Sequence, residues 1–518
     1  MTGNRRKLPG AEHTPLKGYA PLVAVVVVFV AVAALLPSKA ADTVAAGSAR
    51  EVSAGQTASG WGDTVSACTD RTAQVEGDGY SPPCFEFSGD NGGATSRGVT
   101  KDEITVAFRV TPEANIISTF ASLANIDYDE SNQVLADTTK GLVDYFNENF
   151  QMYGRKLRFE QVDGSGQLIQ EIYGAGQAEA NTDAIKTATE VQAFADVSAL
   201  SQPYADALAR QKVINFGAPF LSREWFVNRR PYSWSLLTDC TVIGETGTEY
   251  SVKRLLDRPA EWAGGSLQGQ TRKTALIAPD NPEYQQCVAA SERVIEGAGK
   301  KLDLVLDYNL NLATLNDQSA TLLARLRNAG ITTVACTCDP TMVLYLTRQA
   351  QAQGYEPEWQ VLGTGFTDLD LVGQAYNMGD SGDQWSRAFG LSYFAQQQPL
   401  NESPGYKAYR TVRDDTPSKL VDLLYFQLYS LVIGIQMAGP DLNPENFETG
   451  MFAYPGGTGT GGTWDFGPEH YSPQVDAREV WFDPDAESPF NGDPGTYASD
   501  NKRYRQGEWP EGEPEVFK

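Results

Sequence analysis

Ile331-Thr332-Thr333-Val334-Ala335 runs through Cys336-Thr337-Cys338-Asp339-Pro340 into Thr341–Gln353. The first segment reads as a buried strand, the second as a turn ending in a capping acid and a proline, and the third as a helix. Six such strand–helix units alternate through residues 102–363, and each strand ends in a short turn holding Gly, Pro, Ser or Asp. The predicted strands are Ile104–Val110, Lys156–Val162, Phe194–Ser198 and Val213–Phe216, then Thr274–Ala278, Leu302–Tyr308, Ile331–Ala335 and Gln360–Gly363. Helices are expected near Gln133–Phe150, Asp183–Ala193, Pro203–Gln211, Thr241–Leu256, Glu283–Ala298 and Ala320–Ala329. Crossovers of that length impose parallel pairing. The fold class is α/β, with two doubly wound parallel-sheet lobes joined by a hinge. Open parallel sheets bind ligands outside the carboxyl ends of their strands, so a cleft between the lobes is expected to hold a small molecule.

At 518 residues the chain exceeds one core. Arg5, Arg6 and Lys7 precede an uncharged apolar run from Tyr19 to Leu36, and Ser38-Lys39-Ala40 fits a small-x-small cleavage pattern. Residues 1–40 are read as a signal peptide or an N-terminal membrane anchor, and 41–67, rich in Ala, Gly, Ser and Thr, as a flexible spacer. Either alternative places the bulk of the chain outside the cytoplasm, secreted or anchored at the outer face of the membrane. A formal net charge of −25 argues against nucleic acid, whose phosphates demand clustered Lys and Arg.

The six cysteines, Cys68, Cys84, Cys240, Cys287, Cys336 and Cys338, are an even set in an exported chain and point to disulfides. Cys68 and Cys84 are expected to pair within a small stapled region, 68–101; three pairings of the other four remain open. Cys336-Thr337-Cys338 reads as structural, because no second cysteine pair at ligand spacing and no histidine cluster accompanies it. Beyond His13, only His470 is present, in the loop-like Gly467–Tyr471. Multi-histidine metal sites are thereby excluded, and a single imidazole is left for nucleophilic catalysis. No cofactor, no metal and no enzyme activity are expected. Downstream, Ser418–Gly439 reads as a buried apolar helix, Pro455–Gly462 as a flexible loop, and the segment from Val475 as a late strand returning to the second lobe.

Gly98-Val99-Thr100-Lys101-Asp102-Glu103-Ile104 resembles the opening of the branched-chain amino-acid-type, or type I periplasmic, solute-binding proteins. Thr111-Pro112-Glu113-Ala114, Asn147 with Tyr153-Gly154-Arg155-Lys156-Leu157, Ser201-Gln202-Pro203, Gly217-Ala218-Pro219, Asp280–Tyr284 and Arg348-Gln349-Ala350 continue the resemblance in order, over roughly 98–470. It implies lobe 1 from 102–232 and 366–474, lobe 2 from 233–365 and 475–505, and a tail at 506–518. It also implies a Venus-flytrap protein that closes on a small polar solute (an amino acid, amide or related compound) and passes it to the membrane subunits of an ABC transporter. The implied ligand-binding residues are Ser198, Ser201, Gln202, Ala218, Pro219, Tyr284, Asp339, Thr341 and Phe366. Asp339 or Thr341 falls near the position where amino-acid binders hold the ligand ammonium. Pro219 stands where the family has a hydroxyl donor, and the acid is displaced by one residue, so an ordinary branched-chain amino acid fits poorly.

Physical chemistry supports these positions independently. Asp280-Asn281-Pro282 and Asp339-Pro340 each set a capping acid ahead of a proline at a helix start, where free N–H groups favour ligand oxygens. Capping alone equally accounts for both acids. Ser198 and Ser201 read equally as turn residues, Tyr284 as a surface aromatic, and Phe366 as lobe packing. Two further classes stay in view: a sensory module without transport, and an exported hydrolase working through paired carboxylates.

Overall fold

The computed structural model describes residues 64–113, 116–124, 128 and 130–518. The expected signal or anchor and most of the expected spacer lie outside them. The spacer's last residues are not irregular: Val65–Ala67 (β1) pairs antiparallel with Phe85–Phe87 (β2). The expected Cys68–Cys84 disulfide is formed there. The stapled region seats Tyr80 in a core, its ring 4.5 Å from that of Trp464, and its hydroxyl donates to the Gly462 carbonyl at 2.7 Å.

Glu103–Val110 (β3), Lys156–Asp163 (β4), Ala195–Ala199 (β5), Ile214–Gly217 (β6) and Ser233–Ser235 (β7) form a parallel sheet in the order β4-β3-β5-β6-β7. The second sheet starts with Thr274–Pro279 (β8), Leu304–Tyr308 (β9), Thr333–Cys336 (β10), Glu358–Val361 (β11) and Ala388–Ser392 (β12), again parallel, ordered β9-β8-β10-β11-β12. After a small hairpin, Gly457–Gly459 (β13) with Gly462–Trp464 (β14), the chain adds Asp476–Glu487 (β15) antiparallel to β12. Pro494–Ala498 (β16) and Arg503–Arg505 (β17) both pair with β15. Strands such as β8, Thr-Ala-Leu-Ile-Ala-Pro, are buried along their whole length, as expected of parallel sheets covered on both faces.

Helix starts follow their capping residues. Ser201 caps Gln202–Arg210 and Asp339 caps Pro340–Ala352, each with a proline in the first turn. Asp280 does not cap its helix: the N-cap of Pro282–Gly297 is Asn281, whose side chain makes no capping bond. Val421–Ala438 is the helix among the described residues long and apolar enough to cross a membrane; it is buried in the first lobe's core. The remaining cysteines pair as Cys240–Cys287 and Cys336–Cys338.

Three features differ from the expectation. Ala388–Ser392 lies in the stretch assigned to lobe 1 by resemblance, yet it hydrogen-bonds between β11 and β15 as part of the second sheet. The chain therefore re-enters the first lobe only afterwards, with Pro404–Val412, Val421–Ala438 and Pro444–Ala453. The Gly-rich segment at 455–462 contributes to the β13–β14 hairpin and is not wholly irregular. A helix not anticipated, Ile116–Ala124, follows β3 but packs Phe120, Ala121 and Ala124 into the core of the second lobe.

Candidate functional site

Both sheets reverse their strand order at one point, between β3 and β5 in the first and between β8 and β10 in the second. The loops leaving two such strands diverge to opposite faces and open a crevice at their carboxyl ends. A cavity of about 510 Å³ occupies this place. The first lobe contributes Phe108 of β3 and Ser198 in β5 with Leu200 just beyond it; the second contributes Pro279 at the end of β8 with Asn281 beyond it, and Thr337 to Pro340 after β10. The crossing segments near Leu236, Phe394 and Leu420 also contribute.

Seven of the nine candidate residues line this cavity: Ser198, Gln202, Ala218, Pro219, Tyr284, Asp339 and Phe366. Ser201 and Thr341 do not; both are buried, Ser201 as a helix cap and Thr341 in the first turn of the next helix. The backbone is left-handed at Ala218, Phe220 and Phe366, with φ of 40°, 66° and 61°. Such conformations cost a residue with a side chain free energy and tend to gather at ligand clamps. Phe366 does two jobs: it lines the cavity and packs between lobes, edge-on to Phe220 at 5.4 Å and stacked on Phe394 at 6.3 Å.

The polar groups beneath the surface are largely committed to one another. Ser198 Oγ donates to Asp196 Oδ1 at 2.8 Å and accepts the Arg109 N–H at 2.7 Å. The Arg109 guanidinium grips Glu171 with two parallel bonds, 2.9 and 2.8 Å, touches Asp183 at 3.3 Å and lies 3.7 Å above the Tyr204 ring. Ser201 Oγ donates to Glu171 as well. Burial raises the pKa of Asp196, against the pull of Ser198, Tyr204 and Arg109.

Asp339 receives four donors. Its Oδ1 accepts the N–H groups of Thr341 and Met342 at 3.0 and 3.1 Å and the Tyr173 hydroxyl at 2.9 Å; its Oδ2 accepts the Tyr308 hydroxyl at 2.8 Å. Burial pushes this carboxyl's pKa up and the four bonds pull it down. Tyr173 belongs to the first lobe and Asp339 to the second, so their bond spans the cleft. Gln202 Nε2 to Glu283 Oε1, 3.0 Å, spans it as well, as does Ser222 to Gln286.

The sequence reading missed Glu171, Tyr173, Phe220, Phe394 and Trp464 among the residues at or beside the cavity. A signal existed for Phe220, which directly follows the Gly217-Ala218-Pro219 turn. The others carry no local motif: Glu171 lies on the short helix Leu168–Ile172, Tyr173 directly after it, Phe394 just past β12 and Trp464 at the end of β14. His470 sits in a turn, its Nδ1 3.0 Å from the Asp465 carbonyl, and does not line the cavity.

Residues 127–478 match the model of a family described as periplasmic binding protein. No curated protein sequence matches the chain. Among solved structures, it resembles an ABC-transporter solute-binding protein from R. palustris in complex with 4-hydroxybenzoate: TM-score 0.55, 13% identity, 79% of this chain and 99% of that one. A substrate-binding protein of ABC transporter from Aeropyrum pernix gives TM-score 0.53, 13% identity, and coverage of 78% and 96%. The branched-chain amino acid transporter substrate-binding protein of Streptococcus pneumoniae, in complex with isoleucine, gives TM-score 0.50, 14% identity, and coverage of 77% and 100%. At such identities the likeness is one of fold.

Proposed function

The chain belongs to the periplasmic binding protein family, and from that premise we propose that it is an extracytoplasmic solute-binding protein. Its two lobes close on a small solute and deliver it, unchanged, to the membrane subunits of an ABC-type importer. The observation that carries this reading is the position of the cavity: it lies at the switch points of both sheets at once, lined by strand-end loops from each lobe. A ligand seated there touches both lobes only when they are together, so its binding energy favours the closed arrangement. The cross-cleft bonds of Tyr173 with Asp339 and of Gln202 with Glu283 add to the same arrangement. Ser198, Gln202, Ala218, Pro219, Tyr284, Asp339 and Phe366 are assigned to the ligand site, Ser198 and Asp339 as framework and the others as contact surface. The apolar N-terminal run serves as signal or as anchor at the outer face of the membrane.

Native mass spectrometry of the purified full chain, followed by thermal-shift titration with amino acids, amides and aromatic acids, tests the reading. A retained or stabilising small molecule, recovered chemically intact and raising the melting temperature with concentration, is the expected result. Turnover of any bound compound overturns it.

A further inference from the structure

We infer that the cleft takes a ligand with a largely apolar body, bulkier than an amino acid, whose polar end is not held at Asp339. This deepens, and rests on, the solute-binding reading above. An amino acid needs a free anion or acceptor cluster for its ammonium and free hydroxyl or N–H donors for its carboxylate. Among the described residues, four charged side chains line the cavity: Glu171, Asp339, Lys419 and Asp422. Glu171 is consumed by both arms of Arg109 and by Ser201. Asp339 already holds four donors, about as many as a carboxylate can accept. An ammonium would have to displace the Tyr173 or Tyr308 hydroxyl to reach it. Ser198, a hydroxyl expected from the sequence to face the ligand, spends its proton on Asp196.

The remaining two charges, Lys419 and Asp422, lie three residues apart at the start of the helix Val421–Ala438. Lys419 is exposed, its ammonium 5.1 Å from the Tyr128 ring centre, and Asp422 accepts the Gly405 N–H at 2.7 Å. The lining as a whole is mostly apolar, with Phe220, Phe366, Phe394, Leu420, Leu423 and Phe426 prominent. Asn281 and Thr364, also in the lining, each carry a buried oxygen without a protein partner; both are neutral, and the Thr364 hydroxyl is free to donate to a ligand oxygen. A cavity of about 510 Å³ has the volume of drug-sized ligand sites, roughly 300–1,000 Å³; a single amino acid would leave much of it empty. The geometry suits an aromatic or alicyclic body, with at most one polar end directed to Lys419 and Asp422.

The test uses the full chain and two kinds of probe: the neutral fluorophore N-phenyl-1-naphthylamine, and L-leucine with L-phenylalanine. The expected result is a saturable fluorescence rise with one-site stoichiometry, and no melting shift with either amino acid at millimolar concentration. Leu423→Lys, which places a charge in the apolar lining, is expected to weaken the fluorophore by about tenfold or more, and Leu423→Met to retain it. Stabilisation by leucine or phenylalanine overturns the ligand class while leaving the solute-binding reading intact. A fluorophore signal unchanged in a folded Leu423→Lys variant overturns it too, by placing the probe elsewhere. Failure of both probe kinds, with no stabilising compound in the wider panel, overturns the class and the solute-binding reading together.

Discussion

Tyr284 and Asp368 illustrate two different ways in which one side chain matters here. Tyr284 lies on the first turn of a helix of the second lobe, half-buried, its ring part of the cavity wall. Removing it takes contact surface from the ligand without opening the core. Tyr284→Ala is expected to weaken binding by about 1–2 kcal/mol and to leave the denaturation midpoint nearly unchanged; isothermal titration with the identified ligand, beside a urea melt, separates the two. Asp368, two residues after Phe366, is 2% exposed, with one oxygen accepting from Ser392 at 2.6 Å and the other without a partner. Burial pushes its carboxyl up to about 6, against the bonds and the nearby Arg478 that pull it down. Between its ordinary value and about 6, the folded chain keeps a proton there that the unfolded chain has released. Its contribution to stability is therefore complete below the ordinary carboxylate value and is lost as pH rises through about 6. Asp368→Asn is expected to flatten the decline of melting temperature between about pH 4 and 7. A wild-type and a variant melting profile of equal slope would refute this.

At the level of elements, the outcome depended on whether a segment's partners were near in sequence. β1 and β2 form a hairpin closed by Cys68 and Cys84, 16 residues apart, and that pairing was legible from spacing alone. Replacing both cysteines by serine frees the loop in the unfolded chain and is expected to cost about 3 kcal/mol, measured by denaturant titration under oxidising conditions. The capping of Pro340–Ala352 by Asp339 was equally local, since cap and helix are adjacent. By contrast, β12 was assigned to the wrong lobe. It pairs with β11 just before it and with β15, a strand that begins only at Asp476. Ile116–Ala124 was overlooked although Ile116, Phe120, Ala121 and Ala124 carry a helical spacing. Its direction across to the second lobe has no signature in its own residues.

For the whole molecule, the cleft is bridged by bonds that depend on both lobes being in place. Tyr173 reaches Asp339 and lies 3.0 Å from Thr341 Oγ1. Tyr173→Phe removes that bridge while keeping the ring, and is expected to lower ligand affinity by about 1 kcal/mol with the two lobes still folded. Small-angle scattering should show a larger average radius for the variant at subsaturating ligand, and identical scattering would argue against a latch. Periodicity, capping and turn chemistry act over a few residues, so the α/β class, the two parallel sheets, the Cys68–Cys84 staple and the candidate strand-end positions were legible in the chain alone. Long-range packing settled which sheet received β12, how the other four cysteines paired, and what the polar residues of the cleft were free to do. Asp339 reads as a candidate ammonium partner in the sequence. In the fold, Tyr173 and Tyr308, from distant loops, occupy its oxygens, because hydrogen-bond capacity is settled by whichever donors the packed chain brings within 3 Å.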